Sequence, residues 1–189
     1  EFYAEIDAVY IASPHQTHYE YIKSAVQHRK HVLCEKPMVL KKEQAKEVFR
    51  MAEENRVVLM EAVKTAYCPG FNQLLSIVRS GAIGSVRDVE ACFTKLENPL
   101  SRELTDKSYG GSFTELGSYT ILPVLKILGK DFKELEFKSH WAANGLDIYT
   151  KAYFTYENAL ATSKNGLGVK SEGQLIISGT RGYIIVEAP

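Results

Sequence analysis

The chain has 189 residues, somewhat more than the ~150 of an average domain, so one large domain or two small ones is expected. Its 45% hydrophobic and 24% charged residues exclude a disordered, collagen-like or low-complexity chain. Lys and Arg number 23, Asp and Glu also 23, and no long run of one sign occurs, so the basic face that nucleic acid or an anionic membrane requires is absent.

Asp7 to Ala12 is a short, continuous apolar run stopped by Ser13-Pro14, which reads as a strand buried on both faces of a parallel sheet. Tyr19, Ile22, Ala25 and Val26 follow helical spacing. A second strand, His31 to Cys34, ends at Glu35-Lys36-Pro37. Ala45, Val48, Phe49 and Ala52 then mark another helix, and Val57 to Met60 a third strand. Strand, helix, strand, helix, strand is the doubly wound pattern, whose ligands bind at the carboxyl ends of the strands. Both Ser13-Pro14 and Glu35-Lys36-Pro37 fall at those ends.

The pattern changes after Tyr67-Cys68-Pro69-Gly70. Phe71, Leu74, Leu75 and Val78 predict one amphipathic helix closed near Gly81, and Val86 to Leu96 alternates as a strand with Val89, Ala91 and Phe93 on one side. A long apolar helix is predicted over 112–128. Strands follow at 148–156, 159–163, 174–178 and 183–186, separated by Asn, Gly and Lys turns. The fold class is therefore α/β: part of a Rossmann-like parallel sheet over 1–66, then an α+β domain with a mostly antiparallel open sheet over 67–189.

Lys36 stands between Glu35 and Pro37. Pro37 keeps the Lys36 backbone extended, and neighbouring side chains of an extended backbone point opposite ways. One of Glu35 and Lys36 then enters the crevice and the other is held elsewhere, which suits a catalytic ammonium as well as a solvated lysine before a turn. Glu115 and Tyr119 stand four residues apart on the long helix and share a face, either as a proton-handling pair or as an ordinary packed pair. Gly110-Gly111 before that helix reads as an anion site at a helix N-terminus or as a close-packed turn. His15 and His18 lack further ligands at a metal-binding spacing, Glu20 being on another helix face, so they are expected to cap or line the crevice.

Taken in order, DAVYIASPHQTHYE, HVLCEKP, VVLMEA, SGAIGSV and GGSFTELGSY resemble the glucose-fructose oxidoreductase/inositol dehydrogenase (Gfo/Idh/MocA) family along nearly the whole chain, with E-K-P as the specific element. The resemblance implies a Rossmann domain for NAD or NADP, a second domain for substrate and oligomer contacts, and hydride transfer at a secondary alcohol of a sugar, sugar nucleotide or polyol. It implies that Lys36 contacts the substrate hydroxyl, that Tyr119 is the proton donor or acceptor with Glu115 one turn before it, and that both serve one small molecule. Ser13, Pro14, His15, His18, Glu35 and Lys36 would line the nicotinamide end of the cofactor site. The sequence departs from the family pattern in three places. The glycine fingerprint of the dinucleotide site is absent, Glu115 stands where Asp is usual, and Ala66 stands where many relatives have Arg. A catalytically inactive binding member of the same fold is the alternative.

Cys34, Cys68 and Cys92 are widely spaced and form no C-x-x-C pair, so no disulfide framework or zinc site is suggested and a reducing, cytoplasmic setting is expected. The longest nearly apolar run, Tyr119 to Leu128, is half the ~20 residues needed to cross a bilayer. The start lacks Met and the features of a signal peptide, and Val-Glu-Ala-Pro follows a strand-like run, so both ends read as cut. An open sheet with an exposed apolar face predicts a homo-oligomer.

Overall fold

The apolar run before Ser13 folds as strand β1 (Ala8–Ile11) in a computed structural model of the protein, which describes residues 2–187. Helix α1 (His15–Gln27), strand β2 (His31–Cys34), helix α2 (Lys42–Glu54) and strand β3 (Leu59–Glu61) follow. The chain divides into two compact units, Glu1–Val63 and Lys64–Pro189.

In the first unit the three strands pair in parallel, in the order β1-β2-β3, with Val9 opposite Val32 and Val32 opposite Leu59. Ile22, Ala25 and Val26 of α1 and Val48 and Ala52 of α2 pack with Ile11, Val32, Cys34 and Leu59 in one core. The helical spacings in the sequence therefore mark the buried stripes. Burial on both faces of the sheet is not observed: Tyr10, Leu33 and Val58 are exposed, because both helices pack on the face that carries Val32 and Cys34. Strand β3 also begins two residues later than the apolar run. The Val57 N–H donates to Ala52 O, which ties Val57 to the end of α2, and Arg56 takes a positive φ of 57° to make the turn.

The second unit contains α3 (Pro69–Arg79), β4 (Val86–Thr94), a short α4 (Arg102–Thr105), α5 (Ser112–Leu128), and strands β5 (Glu134–Trp141), β6 (Asp147–Thr155), β7 (Leu160–Gly166), β8 (Gln174–Gly179) and β9 (Tyr183–Glu187). Its six strands run β5-β6-β7-β4-β8-β9, all antiparallel except the β4–β7 pair. Strand β5 is not among the predicted elements, although Leu135 and Phe137 alternate with Glu134, Glu136 and Lys138. It is one of the two edge strands and largely exposed, so its composition is polar.

Val89, Ala152, Phe154, Ala161 and Ile177 on one face of this sheet form a core with Val124 of α5 and Phe71, Leu74 and Leu75 of α3. The opposite face is mixed rather than apolar. Lys164 is ion-paired to Glu90 at 3.3 Å, and the Lys138 ammonium lies 5.6 Å from the ring centre of Tyr153. Among the described residues no helix is long and apolar enough to cross a membrane, and no three His, Cys, Asp or Glu side chains are grouped to hold a metal ion.

Candidate functional site

The expected site residues fall into two groups, one in each unit. In the first unit the Glu35 N–H donates to Ile11 O at 2.8 Å and the Ala62 N–H to Cys34 O at 2.7 Å. These bonds fix the Glu35-Lys36-Pro37 turn where the strands end. The Glu35 carboxylate turns away from the core and accepts the Tyr10 hydroxyl at 2.5 Å, which raises the Tyr10 pKa because ionising the phenol would break a hydrogen bond to an anion. Lys36 is drawn in to 9% exposure. The two neighbours thus separate as an extended backbone requires.

Two further groups hold the turn. Glu61, at the end of β3, accepts the Met38 N–H at 2.8 Å. His18, fully buried on α1, places Nδ1 3.0 Å from Pro37 O and Nε2 2.8 Å from Ser13 O. Its ring meets that of His15 edge-on at 5.6 Å. Ser13 and Thr17 share a hydroxyl bond of 2.6 Å, while Pro14 is exposed as the residue that caps α1. Ser13, Pro14, His15, His18, Glu35 and Lys36 are therefore brought to the same end of one parallel sheet. Beside them, burial followed by the negative charges of Glu61 and Glu35 pushes the Cys34 thiol up to about 12, which keeps it protonated and unreactive.

In the second unit Glu115 and Tyr119 lie one turn apart on α5, and the Tyr119 ring stands edge-on to Phe93 of β4 at 5.4 Å. The start of α5 is set by Asp147, whose carboxylate accepts the Phe113 N–H at 2.9 Å and the Thr150 hydroxyl at 2.7 Å. Gly111 has φ of +109°, and a Cβ there would collide with the Asp147 carboxylate. A Cβ on Gly110 would strike the carbonyls of Glu103 and Asp106. Of the two readings of the glycine pair, the close-packed turn is the one observed, and the anion at the helix start is the chain's own Asp147.

One turn further along α5 than Glu115 lies a closed ring of buried hydrogen bonds. Asn165 Nδ2 donates to Ser163 Oγ at 3.0 Å, Ser163 and Thr120 share a bond of 2.6 Å, and Thr120 donates to Asn165 Oδ1 at 2.8 Å. It pins the helix that carries Tyr119 to β7. Lys95, beyond the end of β4, pairs with Glu97 at 2.5 Å, and its pKa is raised by that bond first and then by the charges of Glu97, Glu115 and Glu103. Lys95, Glu61, Tyr10 and Asp147 are not singled out by motif or spacing. Glu61, Tyr10 and Asp147 each have a partner distant in sequence, Lys95 pairs with a glutamate two positions on, and Tyr10 and Glu61 stand within segments that carry the resemblance, DAVYIASPHQTHYE and VVLMEA.

Residues 1–63 match the model of an oxidoreductase family with an NAD-binding Rossmann fold, and residues 71–185 match the GFO/IDH/MocA C-terminal domain. The chain is 30% identical to scyllo-inositol 2-dehydrogenase (NADP(+)) IolU of Bacillus subtilis, over 96% of this chain and 57% of that protein. It is 32% identical to dTDP-3,4-didehydro-2,6-dideoxy-alpha-D-glucose 3-reductase of Actinomadura kijaniata, over 86% of this chain and 48% of that protein. The chain thus spans about half the length of the curated relatives it matches. Among solved structures, KijD10, a 3-ketoreductase from Actinomadura kijaniata in complex with TDP-benzene and NADP, superposes with a TM-score of 0.82 at 28% identity, covering 97% of this chain and 56% of that one. That protein has also been solved with a lysine replaced by alanine and with a tyrosine replaced by phenylalanine.

Proposed function

From its membership of the GFO/IDH/MocA oxidoreductase family, to which this chain belongs, we propose that the protein carrying it transfers hydride between NAD or NADP and a secondary alcohol carbon of a sugar, sugar nucleotide or polyol. One observation carries the reading. Lys36, held at 9% exposure, and the exposed Pro14 each follow the end of a strand at the carboxyl edge of one parallel sheet, where open α/β sheets take their ligands. An apolar ring and a fixed cation suit a nicotinamide and the hydroxyl it acts upon. Ser13, His15 and Glu35 complete the same edge.

Bound there, the nicotinamide would give or accept the hydride. The residues of the chain handle the proton. Lys36 holds the substrate oxygen and stabilises the negative charge that grows on it as the hydroxyl deprotonates. Tyr119 accepts that proton in oxidation and returns it in reduction, and Glu115, one helical turn before it, sets the charge around the phenol. Help of this kind contributes about 10²- to 10⁴-fold in rate. The lysine and tyrosine substituted in the Actinomadura 3-ketoreductase are separated along that chain by nearly the same number of residues as Lys36 and Tyr119, which supports assigning the roles to this pair.

Copies of the protein associate through the open face of the six-stranded sheet, a reading supported by the tyrosines Tyr149 and Tyr153 displayed there among charges. The test of function is reduction of NAD and of NADP by the full-length protein with a panel of polyols, sugars and sugar nucleotides. Turnover with at least one supports the reading. Cofactor binding without any turnover would favour an inactive binding member of the family.

A further inference from the structure

We infer that His18 is a positioning residue for Lys36: its buried ring clamps the loop after β1 to the turn after β2 and so fixes where the ammonium sits. The inference rests on the role proposed for Lys36. The ring is fully buried, and each of its nitrogens lies at hydrogen-bond distance from a main-chain carbonyl, Ser13 O at 2.8 Å and Pro37 O at 3.0 Å. Carbonyl oxygens only accept. A doubly protonated imidazole donates to both carbonyls and joins the two segments directly, and a neutral one that donates from Nδ1 to Pro37 O joins the turn after β2 to α1, which continues from the loop after β1.

These two segments are the ones that flank Lys36. Pro37 is its direct neighbour, and Ser13 precedes the exposed Pro14. Neither segment is held to the other by a strand pair at this point, because β1 and β2 end at Ile11 and Cys34. Beyond those ends, the Glu35 N–H bond to Ile11 O holds the near side of the turn, the Met38 N–H bond to Glu61 holds its far side, and His18 supplies the link between the Pro37 carbonyl and the loop after β1. A ring needed only to fill space would leave both nitrogens facing acceptors to no purpose, and an aromatic hydrocarbon would serve as well.

The test uses the full-length protein and the variants His18→Phe, which keeps the ring volume and loses both donors, and His18→Gln, which keeps an amide donor. The first readout is the rate of reductive methylation of Lys36, followed by mass spectrometry with Lys23 as internal control. The second is kcat and KM for the polyol or sugar. In His18→Phe, Lys36 methylation rises several-fold while Lys23 is unchanged, and kcat falls about 10²-fold, as expected for misplacement by about 1 Å, with KM for the cofactor nearly constant. His18→Gln recovers part of both effects. The double variant His18→Phe/Lys36→Ala is no slower than Lys36→Ala alone, because one group acts through the other.

Unchanged Lys36 methylation in folded His18→Phe, or rate losses that multiply in the double variant, would overturn the inference. If His18→Phe does not fold, His18→Gln against wild type carries the same readouts, and an unaltered Lys36 rate there overturns it equally. Absence of turnover in the wild-type protein would sink the proposed function and leave the clamp to be judged by methylation alone.

Discussion

Replacing Asp147 by Ala removes the acceptor at the start of α5, the helix that carries Glu115 and Tyr119. An N-cap carboxylate contributes about 0.5–2 kcal/mol. Leaving a buried donor unpaired costs about 1–3 kcal/mol; the Phe113 N–H meets that cost in full, while the Thr150 hydroxyl keeps Ser139 Oγ at 2.8 Å. Removing a carboxylate that burial disfavours offsets a little of the loss. The expected net destabilisation is about 2 kcal/mol, or roughly 4–8 °C in Tm at 2–4 °C per kcal/mol for a chain of this size. Urea unfolding followed by Trp141 fluorescence suits the measurement. Trp141 is the single tryptophan of the chain and pairs with Asp147 in the β5–β6 register.

Burial raises the Asp147 pKa in the folded state above its unfolded value of ~3.9. The folded state then binds its proton more tightly than the unfolded chain, so this contribution to stability is present below pH ~3.9 and is lost as pH rises through the folded pKa. Asp147→Asn keeps an acceptor oxygen and carries no charge, so its stability relative to wild type should improve from pH 3 to pH 7. A change under about 0.5 kcal/mol in Asp147→Ala, the range of featureless surface substitutions, or unaltered hydrogen exchange at the Phe113 amide, would refute the capping role.

Thr120→Val, nearly isosteric, breaks the ring of bonds with Ser163 and Asn165 and is expected to cost about 1–3 kcal/mol, against about 1 kcal/mol in a parallel Thr120→Ser variant, which keeps the hydroxyl and loses one buried methyl, as read from denaturant midpoints. Of the three cysteines only Cys68 is exposed. A thiol reagent at pH 8 should therefore label one thiol quickly in the native chain and three after denaturation, and fast labelling of Cys34 would contradict its burial and its pKa of about 12.

The first unit was legible because its information is local. The helical spacing of Ile22, Ala25 and Val26 and the apolar runs ended by Ser13-Pro14 and Glu35-Lys36-Pro37 depend on neighbours in sequence, and each maps to an element. Strand β3 begins two residues after the apolar run does because the exit from α2 consumes Val57, and β5 escapes prediction because an exposed edge strand carries little apolar signal. Glu115 and Tyr119 could be paired from their separation alone. The roles of His18, Glu61, Tyr10 and Asp147 could not, since each has a partner 19 to 34 positions away. Which carbonyl, amide or hydroxyl such a side chain meets is decided by strand register and helix packing, which no short motif encodes.

The most direct test of the proposed chemistry is the single-turnover rate of hydride transfer in full-length Lys36→Ala and Tyr119→Phe proteins, measured beside their affinities for NAD and NADP. Each variant is expected to lose about 10²- to 10⁴-fold in rate while cofactor affinity stays within a few-fold of wild type. A rate within about three-fold of wild type in either variant would remove that residue from the reaction.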